Sequence, residues 1–93
     1  MVWQLASEHM PVNFRSKLHL ALLQHYFANP RAEYYVRELS RKLSFSGTYV
    51  SRELRALARA GIFISSKHGQ EKYYHLNKNY SLYDELRKII KQL

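Results

Sequence analysis

Apolar residues recur at helical spacing in four stretches of this chain, and one stretch between them switches to the character of paired strands. The first helical stretch runs from Phe14 to about Ala28. Phe14, Leu18, Ala21, Leu22 and Tyr26 form one stripe, which Leu20, Leu23 and Phe27 widen. Asn13 is placed to cap its start, and Asn29-Pro30 to stop it. A helix apolar over so much of its circumference must be covered on more than one side. Burial within its own domain and contact with a partner subunit both satisfy that demand. After the polar connector Arg31-Ala32-Glu33, Tyr34-Tyr35 suits a very short strand. Val36, Leu39 and Leu43 then mark one face of a second helix, Val36 to Leu43, with Arg37, Arg41 and Lys42 off it.

Ser44-Phe45-Ser46-Gly47 breaks that period, and Ser46 is a good N-cap for a third helix running to about Ala60, where Gly61 suits termination. Ile62-Phe63-Ile64 and Lys72-Tyr73-Tyr74-His75-Leu76 have strand composition and flank a polar stretch with Gly69, so 62–76 reads as a hairpin. Ser81, with Asp84 three residues on, resembles a capping arrangement for a last helix, Leu82 to Leu93. Its stripe is Leu82, Leu86, Ile89, Ile90 and Leu93. The order is helix, short strand, helix, turn, helix, hairpin, helix. This is mainly α with a small β-hairpin wing, a winged helix-turn-helix spanning 13–93. Residues 1–12 precede it as an N-terminal arm, with Trp3 and Leu5 as its anchors.

The third helix separates its residue types sharply. With Val50 at zero and about 100° per residue, Leu54 falls at ~40° and Leu57 at ~−20°. Thr48, Arg55, Arg59 and Arg52 fall at ~160°, ~140°, ~180° and ~200°, on the opposite side. One side packs, and the other carries three guanidinium groups and a hydroxyl in a row. Arg55 and Arg59 repel each other four residues apart, a penalty that an external anion removes.

Charge then gives this row a meaning. The 93 residues hold 15 Lys and Arg against 7 Asp and Glu, a net charge of +8. Such a balance seeks phosphate, on nucleic acid or on an anionic membrane surface. Arg37, Arg41, Lys42, Arg52, Arg55 and Arg59 all lie between Val36 and Ala60, against two carboxylates, Glu38 and Glu53, so half of the excess sits on the helix-turn-helix. A helix-turn-helix followed by a hairpin is the frame in which a recognition helix enters the major groove of double-stranded DNA. At the start of that helix Ser46, Gly47, Thr48, Tyr49, Ser51 and Arg52 are nearest to base edges, with Arg52 suited to a bidentate contact with guanine. Arg55 and Arg59, with Arg37, Arg41 and Lys42, are phosphate candidates. In the wing Lys67, His68 and Lys72 flank the tip, and Gly69 permits the turn, so 62–76 tracks the backbone or enters the minor groove.

The run YYVRELSRKLSFSGTYVSRELRALARAGIFISSKHGQEKYYHLN resembles the winged helix-turn-helix regulators of the ArsR-like and MarR-like superfamily. The matching positions are Ser46, Val50, Ser51, Arg52, Leu54, Leu57, Ala60, Gly61 and Ile62, and the wing's Tyr73-Tyr74-x-Leu76-Asn77 is similar as well. Ser81-Leu82-Tyr83-x-Glu85-Leu86 resembles a subset in which this domain precedes a small nucleotidyltransferase domain. The resemblance covers about Tyr34 to Ile90. It implies transcriptional regulation, commonly repression by a homodimer on a pseudo-palindromic operator, and the apolar surfaces of the first and last helices are compatible with such a dimer. A winged helix that docks a protein partner, such as a separately encoded nucleotidyltransferase, is the alternative.

Other chemistry finds little support in the sequence. There is no Cys, which removes disulfide scaffolds and Cys-based zinc fingers and suits a reducing compartment. Five His are present, but His19 and His25 are six apart, His9 is in the arm, and His68 and His75 are on the hairpin, so none has chelating spacing and no metal is expected. No P-loop, Gly-x-Gly-x-x-Gly or Cys nucleophile suggests an enzyme or a cofactor. Tyr34, Tyr35, Tyr74 and Tyr83 are assigned to a small core and its rim, and Tyr49 and Tyr73 are the candidates for stacking. The longest near-apolar run, Leu18 to Leu23, is far below the roughly 20 residues of a membrane span. The start MVWQLASEHMP has neither the basic nor the apolar region of a signal peptide, so a cytoplasmic protein is expected.

Overall fold

The computed structural model describes residues 10–93. Within them helix α1 covers Lys17–Ala28, strand β1 Tyr34–Tyr35, α2 Val36–Leu43, α3 Gly47–Arg59, β2 Phe63–His68, β3 Glu71–Leu76 and α4 Tyr83–Gln92. This is the predicted winged helix-turn-helix, mainly α with a hairpin wing. Trp3, Leu5 and His9 lie outside the described residues.

Two helix starts differ from expectation. The first helix begins at Lys17 and is capped by Ser16, whose hydroxyl accepts from the His19 N–H at 3.1 Å. Asn13, the expected cap, instead accepts from the Arg15 N–H at 3.0 Å, ahead of the helix, and forms an Asx turn. Phe14 therefore lies in that turn. At α4 the cap position is Leu82, with no side-chain bond, and Ser81 caps nothing. A backbone turn, Tyr83 N–H to the Tyr80 carbonyl at 3.0 Å, starts that helix instead.

The core draws on every helix. Leu18, Leu22, Leu23 and Tyr26 of α1 meet Leu39, then Val50, Leu54 and Leu57 of α3, Phe63 and Tyr74 of the sheet, and Leu86 and Ile90 of α4. The wide apolar face of α1 is thus largely covered within the chain, with Leu20 and Ala21 half-buried. Met10 and Val12 are buried in the same core, so the packed body already includes the end of the expected arm. Tyr26 is wholly buried, and its hydroxyl donates to the Tyr74 carbonyl at 2.8 Å, which satisfies both groups away from water. Burial pushes the ionisation of that phenol far up, so it remains a donor at any ordinary pH.

The sheet has three strands rather than two. β3 lies in the middle, antiparallel to β2 on one side and to β1 on the other, with Tyr34 opposite Tyr74 and Tyr35 opposite Tyr73. His68 and Glu71 close the hairpin, and the two-residue loop between them has Gly69 at φ 62°. A positive φ at the first loop position is what a tight two-residue turn requires there, and glycine adopts it without penalty. No helix among the described residues is long and apolar enough to cross a membrane.

Candidate nucleic-acid interface

The turn before α3 is built locally. Ser44 ends α2 in the left-handed region, φ 61°, and its N–H returns to the Ser40 carbonyl. The Ser40 hydroxyl donates to the Phe45 carbonyl at 2.6 Å, and Ser46 accepts from the Tyr49 N–H at 3.3 Å. At the other end Gly61, φ 93°, lets its own N–H reach the Ala58 carbonyl while the Ile62 N–H reaches Leu57 at 3.0 Å. That pair of bonds is a Schellman ending, and the accompanying apolar contact is made by buried Leu57 and Ile62. Both ends of α3 are therefore fixed by the residues that the sequence singled out.

Between those ends the two sides of α3 separate as the helical wheel requires. Val50, Leu54 and Leu57 are buried, while Thr48, Arg52, Arg55 and Arg59 are all exposed. Ser46 is exposed at the cap, Gly47 is half-buried beside the Ser40 hydroxyl, and Ser51 is half-buried at the border of the two sides. Tyr49 is half-buried against Phe45, with ring centroids 6.0 Å apart, and the Arg52 guanidinium lies 5.1 Å from its centroid. Arg55, Ala58 and Arg59 face Ser65, Lys72 and Tyr74 of the hairpin across a shallow groove of about 290 Å³. The structure thus brings two predicted phosphate residues and one predicted wing residue together in one place.

Other predicted cations are engaged elsewhere. Arg37 donates from Nη2 to Glu71 Oε1 at 2.6 Å, which ties the start of α2 to the hairpin. His68 Nε2 lies 3.3 Å from Glu33 and its ring packs edge-on against Tyr73, so it does not extend freely from the tip. Lys42 lies over the Tyr34 ring, 5.6 Å from its centroid. Arg41 and Lys67 are exposed, the latter beside Ser65, Ser66, Gln70 and Lys72 toward the tip of the wing.

Sequence reasoning missed Glu53. Its Oε1 accepts from His19 Nε2 at 2.8 Å, and its Oε2 accepts from Arg52 Nε at 3.1 Å. The imidazole N–H beside it holds the Glu53 carboxyl below the usual carboxylate range, against a smaller opposing effect of burial. His19 is itself buried, the one buried polar side chain among the described residues. No local pattern points to it, because 34 residues separate the partners. His25, by contrast, is held below its usual value by burial and by Lys42, and its Nε2 has no partner. Among the described residues no three His, Cys, Asp or Glu gather as a metal site would need.

No family model matches the chain, and no curated protein matches it. Solved structures do. The chain is similar to reduced HlyU from Vibrio cholerae N16961, at 28% identity and a TM-score of 0.64, over 85% of this chain and 75% of that one. A second structure of HlyU from the same organism matches at 27% identity and a TM-score of 0.63, over 83% of this chain and 75% of that one. The winged-helix arrangement of α2, α3 and the hairpin is what this chain and HlyU have in common.

Proposed function

We propose that the protein is a sequence-specific regulator of transcription that binds double-stranded DNA, with α3 in the major groove and the β2–β3 hairpin on the backbone or minor groove. One observation carries the reading. Thr48, Arg52, Arg55 and Arg59 stand exposed along one side of a helix whose other side is wholly in the core. The likeness to HlyU, a winged-helix transcription regulator, supports it.

On this reading Ser46, Gly47, Thr48, Tyr49, Ser51 and Arg52 face base edges, and Arg41, Lys42, Arg55 and Arg59 hold phosphates. Lys67, Gly69 and Lys72 bring the wing to the duplex. Arg37 and His68 serve first to brace the wing through Glu71 and Glu33, and meet phosphate from that position. The protein acts as an ArsR-like repressor, occupying its operator as a homodimer through α1 and α4. Support for α4 in that role comes from its uncovered Ile89 and from Leu93 just after it.

Selection from random duplex DNA, followed by affinity against salt for the winning sequence, tests this. A motif with half-sites about 10–11 base pairs apart, or a multiple of that, is expected for the dimer. Arg52→Ala should cost about 1–3 kcal/mol of discrimination at one base pair. Arg59→Ala should weaken all sequences alike and reduce the salt slope by about 1. A protein that enriches no sequence would overturn the reading.

A further inference from the structure

Glu53 occupies an unusual place on α3. Adjacent residues on a helix diverge by about 100° and do not ordinarily face each other. Glu53 falls at the border between the packed and exposed sides, so its two carboxylate oxygens serve different neighbours. Oε1 turns inward to His19, whose side chain is 7% exposed, and Oε2 turns outward to Arg52, whose side chain is 65% exposed.

The proton positions along this path follow from the fixed donor at its inner end. The Asn13 backbone N–H donates to His19 Nδ1 at 2.9 Å, so Nδ1 carries no proton and accepts. The ring proton is then on Nε2 and is donated to Glu53 Oε1 at 2.8 Å. The carboxylate, ionised, accepts at Oε2 from the Arg52 Nε–H at 3.1 Å. The guanidinium plane is restrained a second time by the Tyr49 ring, 5.1 Å away. Only Nε–H of Arg52 is used, which leaves both terminal nitrogens, the fork that grips guanine O6 and N7, directed outward.

From this geometry we infer that Glu53, anchored by buried His19, is a positioning residue for Arg52, holding its guanidinium ready to read a base. The inference rests on the DNA-reading function proposed above. A long arginine loses rotamer freedom when it docks, and a side chain already held in place loses less of it. Glu53 therefore adds specificity although its charge opposes DNA. No residue that merely shaped the fold would weaken non-specific binding and sharpen specific binding at once.

Glu53→Gln separates the two ties. Its amide oxygen still accepts from His19, which keeps the buried bond, while its amide NH2 can offer Arg52 Nε–H nothing to donate to. Glu53→Gln should bind non-specific duplex more tightly than the wild type, because one negative charge is gone. It should nevertheless prefer the selected operator over non-specific DNA by roughly 2- to 12-fold less, the ordering cost of one side chain. Combined with Arg52→Ala, it should cause no further loss of preference. An additive loss in the double variant, or unchanged preference in the single one, would overturn the inference.

Nitrogen NMR of the free protein gives an arm that does not depend on DNA. A sharp, slowly exchanging Arg52 Nε–H in the wild type that is lost in Glu53→Gln, with His19 protonated at Nε2, is expected. An Arg52 Nε–H equally mobile in both proteins, or a His19 proton on Nδ1, would refute the positioning path directly. If the NMR pattern holds and no duplex is preferred, the positioning stands and it is the DNA reading that fails.

Discussion

Two of the basic grooves on this molecule are not told apart by their cations alone. Arg55, Arg59 and Lys72 face the one between α3 and the hairpin. Arg31, Lys78, Arg87 and Lys91 face the other, of about 500 Å³, formed by the residues after α1, the loop after β3, and α4. The surroundings differ. On the side of α3 that bears the first, Arg52 is held by Glu53 and Tyr49, so a guanidinium of set orientation stands in line with Arg55 and Arg59. Within the second, Asp84 stands 3.9 Å from Arg87 and no aromatic ring orients a cation. The first groove also borders a helix with one side clear of the core, the element that a duplex can admit into its major groove. The second is a hollow between crossing segments and offers nothing to insert. On the proposed reading, charge supplies attraction at both places, whereas a projecting and oriented element supplies reading at one.

That contrast can be broken from underneath. Leu54→Ala, in the core below α3, should destabilise the fold by about 2–5 kcal/mol. Lys88→Ala, on the exposed side of α4, should change stability by less than about 0.5 kcal/mol. Urea unfolding of the two variants measures the difference directly. Comparable losses would mean that the two regions rest on the core alike.

The grooves themselves come next. Replacing Arg55, Arg59 and Lys72 together by Gln should lower duplex affinity on the order of 10²–10³-fold near 0.1 M salt and reduce the salt slope by roughly 3. Replacing Arg31, Lys78 and Lys91 by Gln removes the same charge from a groove that neither α3 nor the wing lines, and should leave affinity within roughly threefold. Fluorescence anisotropy titrations at several salt concentrations distinguish the two. Equal losses would show that net charge, not placement, governs binding.

The smallest expected effect is in acid. Glu53 has its folded-state ionisation held below the ordinary 4.5, mainly by the His19 hydrogen bond. A depressed carboxylate gives stability that is fully present above its unfolded value and is lost as pH falls through the folded one. Stability should therefore decline below about pH 4.5, and part of that decline should be missing in Glu53→Gln when unfolding is followed from pH 6 to 3. Parallel curves for the two proteins would separate Glu53 from the acid response.

What could be read from the sequence was mostly what a few neighbouring residues decide. Ser46 and Gly61 were legible as the ends of α3 because a cap and a left-handed glycine act within one turn of the helix. The same rule misplaced the start of α1, since Asn13 and Ser16 both suit capping and it is Ser16 that caps. The opposed faces of α3 followed from period alone. The His19–Glu53 and Arg37–Glu71 ties each join residues 34 apart, and no local pattern encodes which carboxylate a buried imidazole or a surface guanidinium will meet. The third strand was foreseeable as a strand, but its seat beside β3 depended on the register of the whole sheet.

That seat has a mechanical consequence. β1 passes directly into α2, and its two residues are stitched to the middle strand of the hairpin, where Tyr26 also fastens the Tyr74 carbonyl. The wing is therefore not a flag on a flexible stem but the second jaw of a calliper whose hinge has been pinned. On the proposed reading, such a protein gauges the width of the groove it straddles as well as the letters within it. Duplexes of identical sequence but compressed or widened grooves would then differ as partners.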